Sequence, residues 1–156
     1  MGLDLKPLLI PTHVKLHDLS GKIIAVDAFN TIYQFLATIR GPTGEPLTNF
    51  KGEVTSHLSG LFYRNINLLA DNVRLVYVFD GKPSYLKSHE IERRQQMKEV
   101  ALEKFEVALR ERRFDDAKKF GQATSILTNN MIEECKLLLS YLGIPVIQAL
   151  SEGEAT

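Results

Sequence analysis

Four carboxylates stand where side chains could hold a cation. Asp27 closes the run Ile23-Ile24-Ala25-Val26, and Asp80 closes RLVYVFD, residues 74–80. Glu152 and Glu154 follow the short run Ile144–Ile147, within SEGEA. Runs of this kind, β-branched and without period-2 alternation, read as strands covered on both faces, the habit of central parallel strands. Ligands of open α/β sheets gather at the carboxyl ends of such strands. Carboxylates brought together there repel and raise one another's pKa unless a cation sits between them. Oxygen donors without a His or Cys partner suit Mg²⁺ or Mn²⁺ better than zinc. In an extended SEGEA, Glu152 and Glu154 point the same way. Without a metal, the same residues would be two solvated strand ends and a solvated acidic tail.

The elements that must position these groups are legible in outline. Phe29, Ile32, Phe35, Leu36 and Ile39 recur at helical spacing, and Gly41-Pro42 stops that helix. Residues 41–52 hold three glycines and two prolines and read as loop or hairpin. Residues 53–70 form a second helix, with Arg64 on its polar flank. The longest helical stretch is 86–113, rich in good helix formers. It is weakly apolar at its start, so it reads as an excursion from the sheet, with Phe120-Gly121 turning the chain back. A last helix near 129–142 is capped by Thr128, Asn129 or Asn130. Helices between parallel strands imply right-handed crossovers and a three-layer helix-sheet-helix core.

Composition removes several classes. The 156 residues can bury a core, and the single cysteine excludes an internal disulfide. There is no apolar stretch of membrane-spanning length and no apolar leader. The Met-Gly start carries lysine at position 6, against a myristoylation signal. His13 and His17 read as surface histidines. No phosphate-loop or dinucleotide glycine pattern occurs. Formal net charge is zero, yet residues 81–125 hold 11 of 19 Lys+Arg against 8 of 19 Asp+Glu. A local basic excess of this kind can meet a polyanion.

The stretches GLDLKPLL, VDAFNTIYQFLATIR, EVTSHLSGLFYRNINLL, LVYVFDGKP, ECKLLLSYLGIPVIQA and SEGEA occur in order along the chain. In these the sequence resembles the archaeal flap endonucleases of the XPG/Rad2 family of structure-specific 5′ nucleases. The resemblance implies a PIN-like α/β nuclease core with a mainly parallel sheet and a helical gateway or cap over residues 81–125. It implies hydrolysis of DNA phosphodiesters at flap junctions by two divalent ions, in replication and repair, inside an archaeal cell. Asp27, Asp80, Glu152 and Glu154 match the family's metal-holding carboxylates. Lys87 and Arg94 match a catalytic basic pair at the scissile phosphate. They are seven residues apart, hence on one side of a helix, and Arg93 is their basic neighbour. Tyr33 matches a tyrosine that stacks on a base. Arg40, Thr55 and Arg64 match or adjoin contacts to the DNA backbone, and Gly2 would lie near the metals.

The chain stops short of the family's further aspartates, its helix-two-turn-helix module and its C-terminal sliding-clamp peptide. The expectation is therefore an N-terminal part of one nuclease domain, with an incomplete sheet open to self-association. Such a piece would bind metal weakly and cleave poorly. A sister 5′ exonuclease or bubble-cutting repair nuclease, and a non-catalytic DNA-binding piece, are the competing readings.

Overall fold

A computed structural model describes residues 12–81 and 88–149, with side chains for all of these except 88–95. The elements are β1 (Ile23–Asp27), α1 (Ala28–Thr38), α2 (Ser56–Ala70), β2 (Arg74–Phe79), α3 (Ser88–Arg110), α4 (Phe114–Ala123), α5 (Asn129–Tyr141) and β3 (Val146–Gln148). A short 3-10 turn at Leu16–Leu19 precedes β1. The strands form one parallel sheet in the order β1-β2-β3. None of the described helices is long and apolar enough to cross a membrane.

The order explains where the core sits. The sheet grows in one direction, so right-handed crossovers place their helices on one face. Leu75, Tyr77 and Phe79 of β2 point to that face and are buried. They meet Ala28, Ile32 and Leu36 of α1, Leu61 of α2, and Cys135 and Leu139 of α5. Phe29 packs edge-on against Phe79, ring centroids 5.6 Å apart. The opposite face is open among the described residues: Ile23 is 63% and Ile147 52% exposed. Of the three layers expected, these residues form two. Among the described residues β1 is the edge strand and is covered on one face, where its composition suggests cover on both. The β-branched run serves the one buried face through Ile24 and Val26.

α4 is the element the sequence hid. Phe120-Gly121 does not turn the chain; both lie inside α4. The turn falls at residues 111–113, where Arg112 takes a left-handed φ of 57° and the Arg113 amide donates to the Ala108 carbonyl over 2.8 Å. Gly121 is needed for approach. A Cβ there would meet the Gly44 carbonyl oxygen at 2.6 Å, and one on Gly44, at φ 92°, would meet Lys118 Cα at 2.8 Å. Backbone thus packs on backbone where α4 docks onto the loop after α1. That loop is drawn together by isolated antiparallel bridges, Arg40 with Pro46 and Thr48 with Val54.

Candidate metal and nucleic-acid site

Register brings the first two carboxylates together. Asp27 lies opposite Val78 across the β1–β2 ladder, and Asp80 is two residues beyond Val78. Asp80 follows directly on the end of β2 at Phe79, so the two carboxylates stand at the ends of adjacent strands. Neighbouring strands are spaced by about 4.8 Å and rise about 3.3 Å per residue, which puts the two Cα atoms roughly 8 Å apart. Both residues are half-buried. Asp27 also caps α1: its Oδ1 accepts the Asn30 amide over 2.9 Å. An N-cap carboxylate satisfies an orphan donor and faces the positive helix end. One oxygen is therefore tied to the fold while the other remains as a donor for a ligand. Gln148, at the end of β3, donates to the carbonyls of Phe79 and Asp80 over 3.2 and 2.7 Å. This ties down the backbone beneath Asp80.

The donor set suits a hard divalent cation: carboxylate oxygens at the ends of adjacent strands, with no Cys or His beside them among the described residues. No group of three or more His, Cys, Asp or Glu residues forms a metal cluster among the described residues. Glu152 and Glu154, expected to complete it, lie outside the described residues, as do Gly2 and Lys87. Arg93 and Arg94 belong to α3, and only their backbone is described.

The remaining expected residues are placed. Tyr33 sits on α1, 40% exposed, with the Lys98 ammonium of α3 5.4 Å from its ring centroid. Arg64 is exposed on α2, and Thr55 is the half-buried N-cap of α2, making no side-chain cap bond. Arg40 is engaged by protein. Its Nε donates to Leu36 O over 3.1 Å, Nη1 to Gly44 O over 2.9 Å and Nη2 to Ser125 Oγ over 3.0 Å. Burial pulls its pKa below the usual arginine value. His13 and His17 are exposed, and His17 pairs with Asp18 over 2.9 Å.

Sequence reasoning passed over two features. Fully buried His57 bonds Glu134 through Nε2 over 2.9 Å, tying α2 to α5. A groove of about 680 Å³ opens between α1, α3 and α4, with Tyr33 on one wall and Phe120 on another. The aromatic residues and lysines that build it were visible in sequence, but their meeting required α4.

Residues 1–101 match the XPG N-terminal domain. The chain is 53% identical to Flap endonuclease 1 of Nitrosopumilus maritimus over 156 residues, covering all of this chain and 46% of that protein. It is 56% identical to Flap endonuclease 1 of Pyrobaculum calidifontis over 142 residues, 91% of this chain and 41% of that one. The chain thus spans a little under half the length of these curated relatives. Among solved structures, flap endonuclease-1 from Methanococcus jannaschii superposes with a TM-score of 0.67 at 42% identity, over 98% of this chain and 49% of that one. The catalytic core of Rad2 in complex with DNA substrate superposes at 0.58 and 33% identity, over 90% of this chain and 35% of that one. With that domain matched over residues 1–101, more than half of the chain, and the fold shared with these nucleases, the chain belongs to the XPG N-terminal domain family.

Proposed function

We propose that this chain supplies the N-terminal, cation-binding portion of a structure-specific 5′ flap endonuclease acting on DNA in an archaeal cell. The observation that supports the reading is the parallel β1–β2 register, with Asp27 ending β1 and Asp80 following β2 on the adjacent strand. The helix after β2, α3, sets its Lys98 ammonium 5.4 Å from the Tyr33 ring centroid. The relatives' shared name and the DNA held by the Rad2 core support the substrate class.

Asp27 and Asp80, with Glu152 and Glu154, would hold two divalent ions, Mg²⁺ by preference. When bound, such ions activate the attacking water and stabilise the leaving oxygen of an in-line displacement. The chain's own residues bind and orient the strand. The half-exposed ring of Tyr33 offers a stacking face, sequence-tolerant because every base has a π-face. Arg64, exposed on α2, and Thr55, at that helix's start, would meet duplex backbone. Lys87 and Arg94, with Arg93 beside them and Gly2 near the carboxylates, would offset the charge that develops on the scissile phosphoryl group. Arg40 holds the loop and α4 in place, so its contribution to DNA contact would come through position. A sliding clamp would be a further partner of the whole enzyme.

The test compares a 5′-flap DNA with a blunt duplex of the same sequence. Binding is measured by anisotropy in Ca²⁺, and cleavage in Mg²⁺. The reading requires tighter flap binding, an affinity that falls with salt, and a flap preference weakened by Tyr33→Leu. Equal affinity for flap and blunt duplex would contradict it.

A further inference from the structure

Asp27 and Asp80 are held by different means. Asp27 ends β1 within the ladder, opposite Val78, and its Oδ1 accepts the Asn30 amide over 2.9 Å. Asp80 lies one residue past β2, and the β2–β3 register closes at the pair Phe79–Gln148. Gly81 follows, with no Cβ to restrict its backbone. Strand geometry therefore fixes Asp27 and stops short of Asp80.

The Gln148 side chain spans that step. Its Nε2 donates to the Asp80 carbonyl over 2.7 Å and to the Phe79 carbonyl over 3.2 Å. Carbonyls only accept, so the NH2 end of the side-chain amide must face them, and its two N–H groups match the two oxygens. The Phe79 carbonyl also takes the Ala149 amide over 2.8 Å. Gln148 thus adds one rung beyond the backbone ladder. Phe79 itself is fixed from below: it is fully buried, edge-on to Phe29, with the Lys136 ammonium 5.4 Å from its ring centroid. Burial does not demand the Gln148 bonds. The residue is exposed, and an exposed amide has water for a partner.

We propose that Gln148 is a positioning residue of the cation site, holding the Asp80–Gly81 peptide so that the Asp80 carboxylate is presented to the ion. The proposal rests on the reading of Asp80 as a cation ligand and adds to it the group that holds that ligand. Hydrogen bonds behind the ligands orient them in metal sites generally. The sequence after Gln148 runs on to Glu152 and Glu154, so the stretch that carries the second carboxylate pair also ties down the backbone of Asp80.

Gln148→Met keeps the length of an exposed side chain and removes both donors. The first readout needs no ion. The Gly81 amide shares a peptide plane with the Asp80 carbonyl, and its order parameter is measured by ¹⁵N relaxation in EDTA. It is expected to fall from about 0.85 to below about 0.6 in the variant, while that of the Asn30 amide stays unchanged. The second readout is Mn²⁺ binding, followed by loss of the free-ion EPR signal. It is expected to weaken about 2- to 13-fold, the worth of one net hydrogen bond. Tyr77→Phe, which loses a buried bond to Asn65, is the control for general loosening. It should lower Tm and move neither readout. An unchanged Gly81 order parameter in Gln148→Met overturns the positioning role and leaves the cation reading standing. So does a looser Gly81 with unchanged Mn²⁺ affinity. Losses of the same size in Tyr77→Phe would mark the effect as global and overturn the role as well. If the unsubstituted chain binds no Mn²⁺, the cation reading falls and the proposal falls with it.

Discussion

Asp27 does two things that substitution can separate. It caps α1 through Oδ1, accepting the Asn30 amide over 2.9 Å, and it offers a charge beside Asp80. Asn ranks with Asp as an N-cap, so Asp27→Asn keeps the cap and removes the charge. Losing a negative charge at the helix start costs about 0.3–1 kcal/mol. Relief of repulsion from Asp80 offsets part of that in the absence of metal. The metal-free stability of Asp27→Asn should therefore match the unsubstituted chain within about 0.5 kcal/mol, the difference of these two small effects. Asp27→Ala loses the cap as well and should cost about 1 kcal/mol. For a chain of this size that lowers Tm by about 2–4 °C.

Mg²⁺ then distinguishes charge from cap. At a free concentration of 100 times Kd, a ligand that binds only the folded state adds about 2.7 kcal/mol, or roughly 5–10 °C. The unsubstituted chain should show that rise in scanning calorimetry, measured against KCl of matched ionic strength. Neither variant should. An equal Mg²⁺ response in Asp27→Asn would refute the assignment of Asp27 as a cation ligand. A metal-free loss as large for Asn as for Ala would refute the capping argument.

Tyr77→Phe removes a buried hydroxyl that donates to Asn65 Oδ1 over 2.9 Å, where Asn65 Nδ2 already lacks a partner. It should cost about 1–3 kcal/mol by urea unfolding, and adding Asn65→Leu should recover part of the loss. Gly121→Ala would gain about 1 kcal/mol at an unconstrained helix site. Here the added Cβ meets the Gly44 carbonyl at 2.6 Å, so overpacking of about 1–3 kcal/mol should outweigh the gain and speed proteolysis at residues 111–127. Burial pushes the Cys135 thiol up to about 12, so the native thiol should resist alkylation at pH 8 and react on unfolding. Because the folded value is raised, that contribution to stability is complete below the unfolded thiol's pKa of about 8.5. It is lost as pH climbs from there toward 12, which pH-dependent unfolding would report.

What the sequence discloses depends on how local its cause is. Asp27 and Asp80 could be placed because each ends an apolar run, and a strand's end is a local property. That the strands are parallel and adjacent follows from the helices between them. α1, α2 and α5 could be read from their periodicity, and Thr128 caps α5 by accepting the Met131 amide over 3.3 Å, one of the three caps the sequence allowed. α4 could not be read. FDDAKKFGQA is short, charged and contains glycine, each of which argues against a helix. It holds because Gly121 lets it approach Gly44, a partner 77 positions away that no local pattern marks. Arg40 was hidden for the same reason: its Ser125 partner is 85 residues distant. β1 shows the opposite limit: an unbroken β-branched run says that a strand is apolar but not which residues cover each face, and among the described residues only one face is covered.

The joint at Gly44 therefore has consequences beyond packing. Arg40 stands at the C-terminal end of α1 and, with one guanidinium, holds the carbonyl of that helix's last turn, the loop carbonyl of Gly44 and the hydroxyl just after α4. The same α1 begins at Asp27 and carries Tyr33. One helix thus runs from the strand end at Asp27, past Tyr33, to the clasp that seats α4. A displacement of α4 need not pass through the sheet to alter the strand-binding surface, because Arg40 and Tyr33 are fixed to the same helix. On this account the arginine would matter to DNA through the geometry it imposes, and its half-buried, protein-satisfied guanidinium suits that role.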